Sequence, residues 1–404
     1  MKNKGISLIV LVITIIVMII LAAAIIISLN NTGIIGNANK AVEETNEKTV
    51  QEIANLAWGE AYADGKRSAE DLKKVVEKAL EDNNLNKGDY GINVTESGVD
   101  IAKGWLQKSD RTVVKGDQVL NIGDTVNYDE TNGGKTTVQK DVNWRVLGAE
   151  NGKLLIMSYE DVTTKTFNEG KTLEGGKLAY VNGISELNTV CKAYGKGTGA
   201  VDARSITIED VDRVTGFDKT KFEYLDDGKK IKYGESTTYY WDTLADTQNK
   251  PYYETGRGLT GNLNSNHTKF VYHDGSTWQE SVMPTTLPTE RQKICTLTQT
   301  YYYYHADNIT LTKTNTDGTA NKAYNMLFGS SEEHKYWLAS SFVDTNAKDA
   351  YFGLRIVNSG IVYGDASISS RGGGSVHDFG IRAVVLLSPS VSLTGTSDSG
   401  YEIL

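Results

Sequence analysis

The chain has 404 residues, with 42 Lys and Arg against 51 Asp and Glu, a formal charge of −9, five histidines and two cysteines. Its length predicts two or three domains, and the acidic balance argues against a nucleic-acid binder, which normally carries a basic surplus or stripe. Cys191 and Cys295 are too few for a disulfide framework, a thiolate metal knot or an iron–sulfur site, while 40 glycines, 4 prolines and 22 tyrosines fit a turn-rich β protein with a polar, aromatic surface.

Ile6 to Leu29 is apolar apart from Ser7, Thr14 and Ser28. As a helix such a run is about 36 Å long, enough for a bilayer core of about 30 Å. Lys2 and Lys4 precede it and the next basic residue is Lys40. That bias predicts a single pass of the cell membrane with the following chain outside. The rival reading is a cleaved secretory signal. Against it, Ile25-Ile26-Ile27 carries the run past Ala22-Ala23-Ala24, and signal-peptide cores are only about 7–15 residues.

Lys4-Gly5-Ile6-Ser7-Leu8-Ile9-Val10-Leu11 resembles the N-terminus of type IV prepilins and pseudopilins. The resemblance implies a peptidase cut between Gly5 and Ile6 and pilin-like subunits as partners. It departs at Val10, where the family usually carries the glutamate that pairs with a neighbouring subunit during assembly.

Residues 30–109 read as a helical stalk with a small β platform. Val42, Val50, Ile53 and Ala57 form an amphipathic stripe between Ile34 and Tyr62. Ser68 with Asp71 opens a second helix through Leu72, Val75, Val76 and Leu80 to about Glu81. Two short strands follow, with Gly98 between them. The segment is either a pilin-like helix on its platform or a spacer lifting the next domain off the membrane.

Residues 110–395 read as a β-rich domain and 396–404 as a polar tail, making the whole chain α+β. Val142–Leu147 and Lys153–Ser158 form a hairpin around a Gly148–Gly152 turn. Leu187–Tyr194 predicts a helix. Thr207-Ile208-Glu209-Asp210 caps another that closes at Gly216, and Ala323–Leu327 is a last helical turn. Tyr336–Ser341, Tyr351–Val357 and Ile361–Tyr363 then read as strands with a turn at Asn358-Ser359-Gly360, and Gly380–Leu387 as one buried closing strand.

Trp337-Leu338-Ala339-Ser340, Phe352-Gly353-Leu354-Arg355, Gly360-x-Val362 and Gly380-Ile381-Arg382-x-Val384-Val385-x-Leu387 resemble the end of a C-type-lectin-like fold. More narrowly, they resemble the variable proteins of diversity-generating retroelements. Trp144–Leu147, Tyr180–Gly183, Leu187-Asn188 and Thr207–Val211 match the same group in order, so the resemblance spans residues 140–390. It implies a framework of Trp337, Leu338, Phe352, Leu354, Val362, Gly380, Arg382 and Val384. The positions between would form a ligand-binding face: Phe342, Asp344, Tyr351, Ile356, Asn358, Ile361, Tyr363, Asp365, Ser367, Ser369, Val376, His377, Asp378 and Phe379. Each of these residue types is reached from an asparagine codon by changing adenines. Aromatic anchors among Asn, Asp, Ser and Gly are also the vocabulary of binding loops. Ile356 and Ile361 have a second reading as the core of a hairpin.

The same fold hosts formylglycine-generating oxidases, which need paired cysteines; Cys191 and Cys295 are far apart in sequence and read as structural thiols. The histidines His267, His273, His305, His334 and His377 lack H-x-x-x-H or H-E-x-x-H spacing. Asp210-x-Asp212 imitates a calcium loop, but Val214 and Thr215 occupy the ligand and glycine places, so it reads as a helix start. Neither a cofactor nor a metal follows from spacing, although calcium held by irregular loops stays open. Tyr239-Tyr240-Trp241, Tyr252-Tyr253 and Tyr301–Tyr304 are strand aromatics or sugar platforms. The expectation is recognition of an external protein or glycan, not turnover. The alternatives are a minor subunit of a type IV pilus or type II secretion filament, and a cell-surface enzyme.

Overall fold

A computed structural model describes the chain from Ile34 to Leu404, apart from residues 110, 136–137, 139–141, 221–222, 227–228, 242–268, 283–287, 301, 303, 305–308, 330–333, 346–349 and 370–375. Side chains are described from Glu47 onward, excluding those of residues 223–226, 229–232, 269 and 365–369. The Gly5–Ile6 processing site and the membrane segment 6–29 lie outside the described residues. Among the described residues no helix is long and apolar enough to cross a membrane. The fold is a β-rich α+β arrangement with five described α-helices. It divides into two units, one running to Lys87 and including Ile92–Lys103, the other holding Gly88–Gly91 and Gly104–Leu404.

In the first unit, helix α1 (Ile34–Ala63) buries Val50, Ala54, Ala57 and Ala61, a stripe at spacings of three and four. Helix α2 (Ala69–Asp82) begins where the Ser68 side chain accepts from the Asp71 amide, and it buries Leu72, Val76 and Leu80 completely. Strands Tyr90–Thr95 and Gly98–Lys103 pair as a hairpin. The Gln51 carboxamide docks on its edge, donating to the Val99 carbonyl (2.8 Å) and accepting from the Ile101 amide (3.3 Å). One side chain thereby satisfies strand groups that would otherwise be unpaired.

The two largest sheets of the second unit organise it. The seven-stranded sheet runs in the order Ala200–Ser205, Ala383–Leu387, Lys153–Ser158, Trp144–Glu150, Thr125–Asn127, Gly400–Ile403, Leu393–Thr396. Its central hairpin turns at Asn151 and Gly152, both at positive φ. The five-stranded sheet runs Ile361–Ser369, Ala350–Asn358, Lys335–Thr345, His377–Ile381, Thr163–Phe167. Helix α3 (Leu173–Lys192) covers one face of this second sheet. Helix α4 (Ile208–Thr215) carries the expected capping box between Thr207 and Asp210 and ends at Gly216 with φ of 69°. Helix α5 (Lys322–Phe328) is capped by Asn321.

Three expectations change. Helix α3 starts at Leu173, not Leu187, because Gly176 and Gly183 are small contact residues and do not break it; a Cβ on Gly183 would stand 2.6 Å from Leu354. Gly380–Leu387 is two strands in two sheets, with Arg382 at the crossing. The expected tail 396–404 contains the strand Gly400–Ile403, which pairs in parallel with Thr125–Asn127.

Candidate ligand-binding face

Every expected framework residue is buried: Trp337, Leu338, Phe352, Leu354, Val362, Arg382 and Val384 are at most 1% exposed, and Gly380 is buried with them. Arg382 is the instructive one, since a wholly buried guanidinium must be satisfied by the protein. Its Nε bonds Asp161 (3.2 Å), one Nη donates to the Met326 carbonyl (2.6 Å) and the other meets His334 Nδ1. Burial, helped by the Arg382 charge, holds the His334 imidazole below its usual range, so its neutral ring nitrogen accepts that bond.

The strand register then sorts the intervening residues onto two faces. Phe342 pairs with Gly353 and Asp344 with Tyr351, which puts these three side chains, Phe342, Asp344 and Tyr351, on the face of Arg355, away from α3; Ser369 is the strand partner of Tyr351. Ile356 pairs with Tyr363 and Asn358 with Ile361, all on the α3 face, and Asp365 is the strand partner of Leu354. Ser367 is the extra residue where the register shifts between Ile368 and Ala366. Phe342 and Ile356 are 2% and 1% exposed. Both are core residues, which corrects their reading as ligand contacts; the Phe342 ring fills the space over Gly364.

Five of the remaining residues share one face and one end of the sheet. Asn358 and Ile361 flank the hairpin turn made by Ser359 and Gly360 at positive φ. The Asn358 amide donates to the Tyr363 hydroxyl (3.0 Å) and accepts from the Ser359 hydroxyl (2.9 Å). Two strands away, His377 stacks on Phe379 with ring centres 5.3 Å apart; Phe379 meets Trp337 at 4.9 Å and Trp337 meets Phe167 at 5.1 Å. Trp337 Nε1 donates to the Lys165 carbonyl (2.8 Å), and Lys165 pairs with Glu186 of α3 (2.8 Å). Lys335, outside the expected set, is the strand partner of Asn358 and stands exposed between the two groups. The result is a rim of Tyr363, Ile361, Asn358, Lys335, His377 and Phe379, each partly or fully exposed. Val376 leads into it half-buried, while Asp378 points to the other face, where it accepts from Thr166 Oγ1 (3.1 Å).

Asp344 and Tyr351 sit elsewhere. Tyr351 is seven residues from Asn358, about 23 Å along a strand, and on the opposite face. Next to them a strap, described at Gln299, Thr300, Tyr302 and Tyr304, crosses that face. At one edge the Thr300 amide donates to the Val343 carbonyl (2.8 Å) and the Val343 amide to the Thr300 hydroxyl (2.7 Å). At the other edge Tyr304 and Val362 exchange backbone bonds of 3.1 and 3.2 Å. Between them the buried Arg355 guanidinium donates to the carbonyls of Thr300 and Tyr302, with its carbon 4.3 Å from the Tyr302 ring centre. An arginine inside an apolar strand was the one sequence signal for this strap.

Other chemistry is held by the protein itself. Cys191 is buried under the Arg382 carbonyl, Cys295 belongs to a different cluster, and burial pushes both thiols up to about 12. Tyr239, Trp241, Tyr302 and Tyr304 are at most 4% exposed, so they are core and not platforms; Tyr252, Tyr253, Tyr301 and Tyr303 lie outside the described residues. Asp210 forms ion pairs with Arg204 (2.5 Å) and Arg213 (3.2 Å). A polar recess of about 430 Å³ lies by Asn127, Asp129, Glu130 and Glu402. Its carboxylates accept from Thr131, Gly133, Val142, Trp144 and Asn127. Among the described residues no three His, Cys, Asp or Glu side chains are grouped to hold a metal ion. No protein-family model, curated protein or solved structure matches the chain.

Proposed function

We propose that this chain is a membrane-anchored, outward-facing, pilin-like protein whose second unit is a C-type-lectin-like domain that recognises an external protein or glycan. Residues 6–29 would hold it in the membrane and residues 30–109 would lift the domain away. The observation that carries the recognition half is the split in burial: the eight framework residues are inside. Of the intervening residues with described side chains, all but Phe342 and Ile356 reach the surface. A rigid sheet with a tolerant rim is the arrangement binding modules use. The ligand would meet aromatic anchors at Tyr363, His377 and Phe379, with Asn358 and Lys335 setting polar specificity. For the pilin-like half, the support is α1 packed on α2 and on the hairpin through Gln51.

The decisive measurement is the DNA flanking the gene. A near-copy of the codons for residues 337–387, differing almost only at adenines and lying beside a reverse transcriptase, would establish a diversified face. Its variable codons should then fall at 358, 361, 363, 377 and 379. Absence of such a copy would remove the retroelement from the reading. Protease treatment of intact cells carrying a C-terminal tag tests the topology, and a tag that survives until lysis overturns it. Crosslinking in the parent cell separates the receptor from the filament subunit, since ladders would favour the latter.

A further inference from the structure

A carboxyl group of α4 meets the strap. Tyr302 Oη donates to Asp212 Oδ2 at 3.0 Å, and Phe217 stacks on Tyr302 and Tyr304 with ring centres 5.2 and 4.1 Å away. The other oxygen, Asp212 Oδ1, is buried with no hydrogen-bond partner. Among the described residues Asp212 has no ion pair. The charged and titratable groups facing it are Glu209 on its own helix, Lys219 beyond the helix, Arg355 from the sheet, and Tyr302 and Tyr304 from the strap. An ionised carboxylate so placed lacks the bonds that would replace its hydration.

We propose that Asp212 is a proton-controlled latch for the strap: protonated, it stays seated under Tyr302 and the strap is down; ionised, it draws water and the strap lifts from Arg355. This holds whether or not the rim binds a ligand. Burial pushes the Asp212 carboxyl up from its ordinary 3.8 to about 7. Once the strap lifts, the solvated group returns toward its ordinary value, so lifting releases a proton. The strap is therefore held most firmly below about pH 4, its opening grows about tenfold per pH unit, and the growth ends near pH 7.

Hydrogen exchange on the full chain tests this at the amides of Thr300, Val343, Tyr304 and Val362, which make the strap's bonds. Corrected for intrinsic chemistry, their protection should fall about 50-fold from pH 5 to pH 7 and then level off. The amide of Val385, in the other sheet, should not follow. In Asp212→Asn, which keeps the shape and removes the titration, the four amides should be flat with pH. Tyr302→Phe should lower their protection at every pH while keeping the slope. An equal fall in the Asn variant, no fall in the wild type, or an equal fall at Val385 would each overturn the latch. The last two readings need no variant to fold.

Discussion

The two faces of the five-stranded sheet are covered by opposite means. On one, α3 lies close because Gly176, Ala179 and Gly183 are small, and Leu187, Cys191, Leu354 and Ile356 close the gap without polar groups. On the other, the strap lies over the Arg355 guanidinium, which donates to its carbonyls, and its Tyr302 hydroxyl reaches the Asp212 carboxyl. The apolar cover depends on shape and is indifferent to pH. The polar cover is only as firm as its groups are satisfied, and Asp212 is not. One sheet thus carries a fixed side, whose rim is the candidate binding surface, and a conditional side.

Four substitutions sharpen or break that contrast. Trp337→Ala on the α3 side removes a ring packed against Phe167 and Phe379; it should cost about 4 kcal/mol in chemical denaturation, at every pH. An effect under about 1 kcal/mol would mean that this side is loosely packed. Asp212→Asn on the strap side should be neutral at pH 4 and more stable than the wild type by roughly 2–4 kcal/mol at pH 8. The direction follows from a folded carboxyl titrating at about 7 against its ordinary 3.8: wild-type stability is full below the lower value and is lost as pH rises toward the higher one. Thr207→Ala removes the capping hydroxyl of the helix that bears Asp212 and should cost about 1 kcal/mol, read as a shift in denaturation midpoint. Tyr363→Ala on the rim should change stability least, by about 1 kcal/mol or less, yet reduce capture of the ligand. A large loss of stability there would move Tyr363 from the binding surface to the core.

Much of this was legible in the residue order. Ser68 and Thr207 announced their helices, since a cap is made with an amide three residues on. The turns expected at Gly148–Gly152 and Asn358-Ser359-Gly360 are present, the first narrowed to Asn151 and Gly152, and the positive φ of Gly152 and Gly360 explains the glycine in each. Harder to read were residues whose role lies across the fold. Gly183 looks like a helix breaker until Leu354 is beside it. Lys335 looks like a strand-start lysine until Asn358 is opposite. Arg382 looks like a strand residue until Asp161, Met326 and His334 surround it at the crossing between sheets.

By itself the sequence determined the helix caps at Ser68 and Thr207, the hairpin turns and the buried framework of the sheets, because caps and turns depend on contacts within a few positions along the chain and the framework residues other than Gly380 and Arg382 are strongly apolar. Only the tertiary structure decided which face each strand residue occupies and that the last residues join the seven-stranded sheet. It also decided that Thr300 and Tyr302 lie over Arg355. Those outcomes rest on hydrogen bonds and packing between segments far apart in the chain. A one-residue change of register would turn every side chain of a strand to the other face.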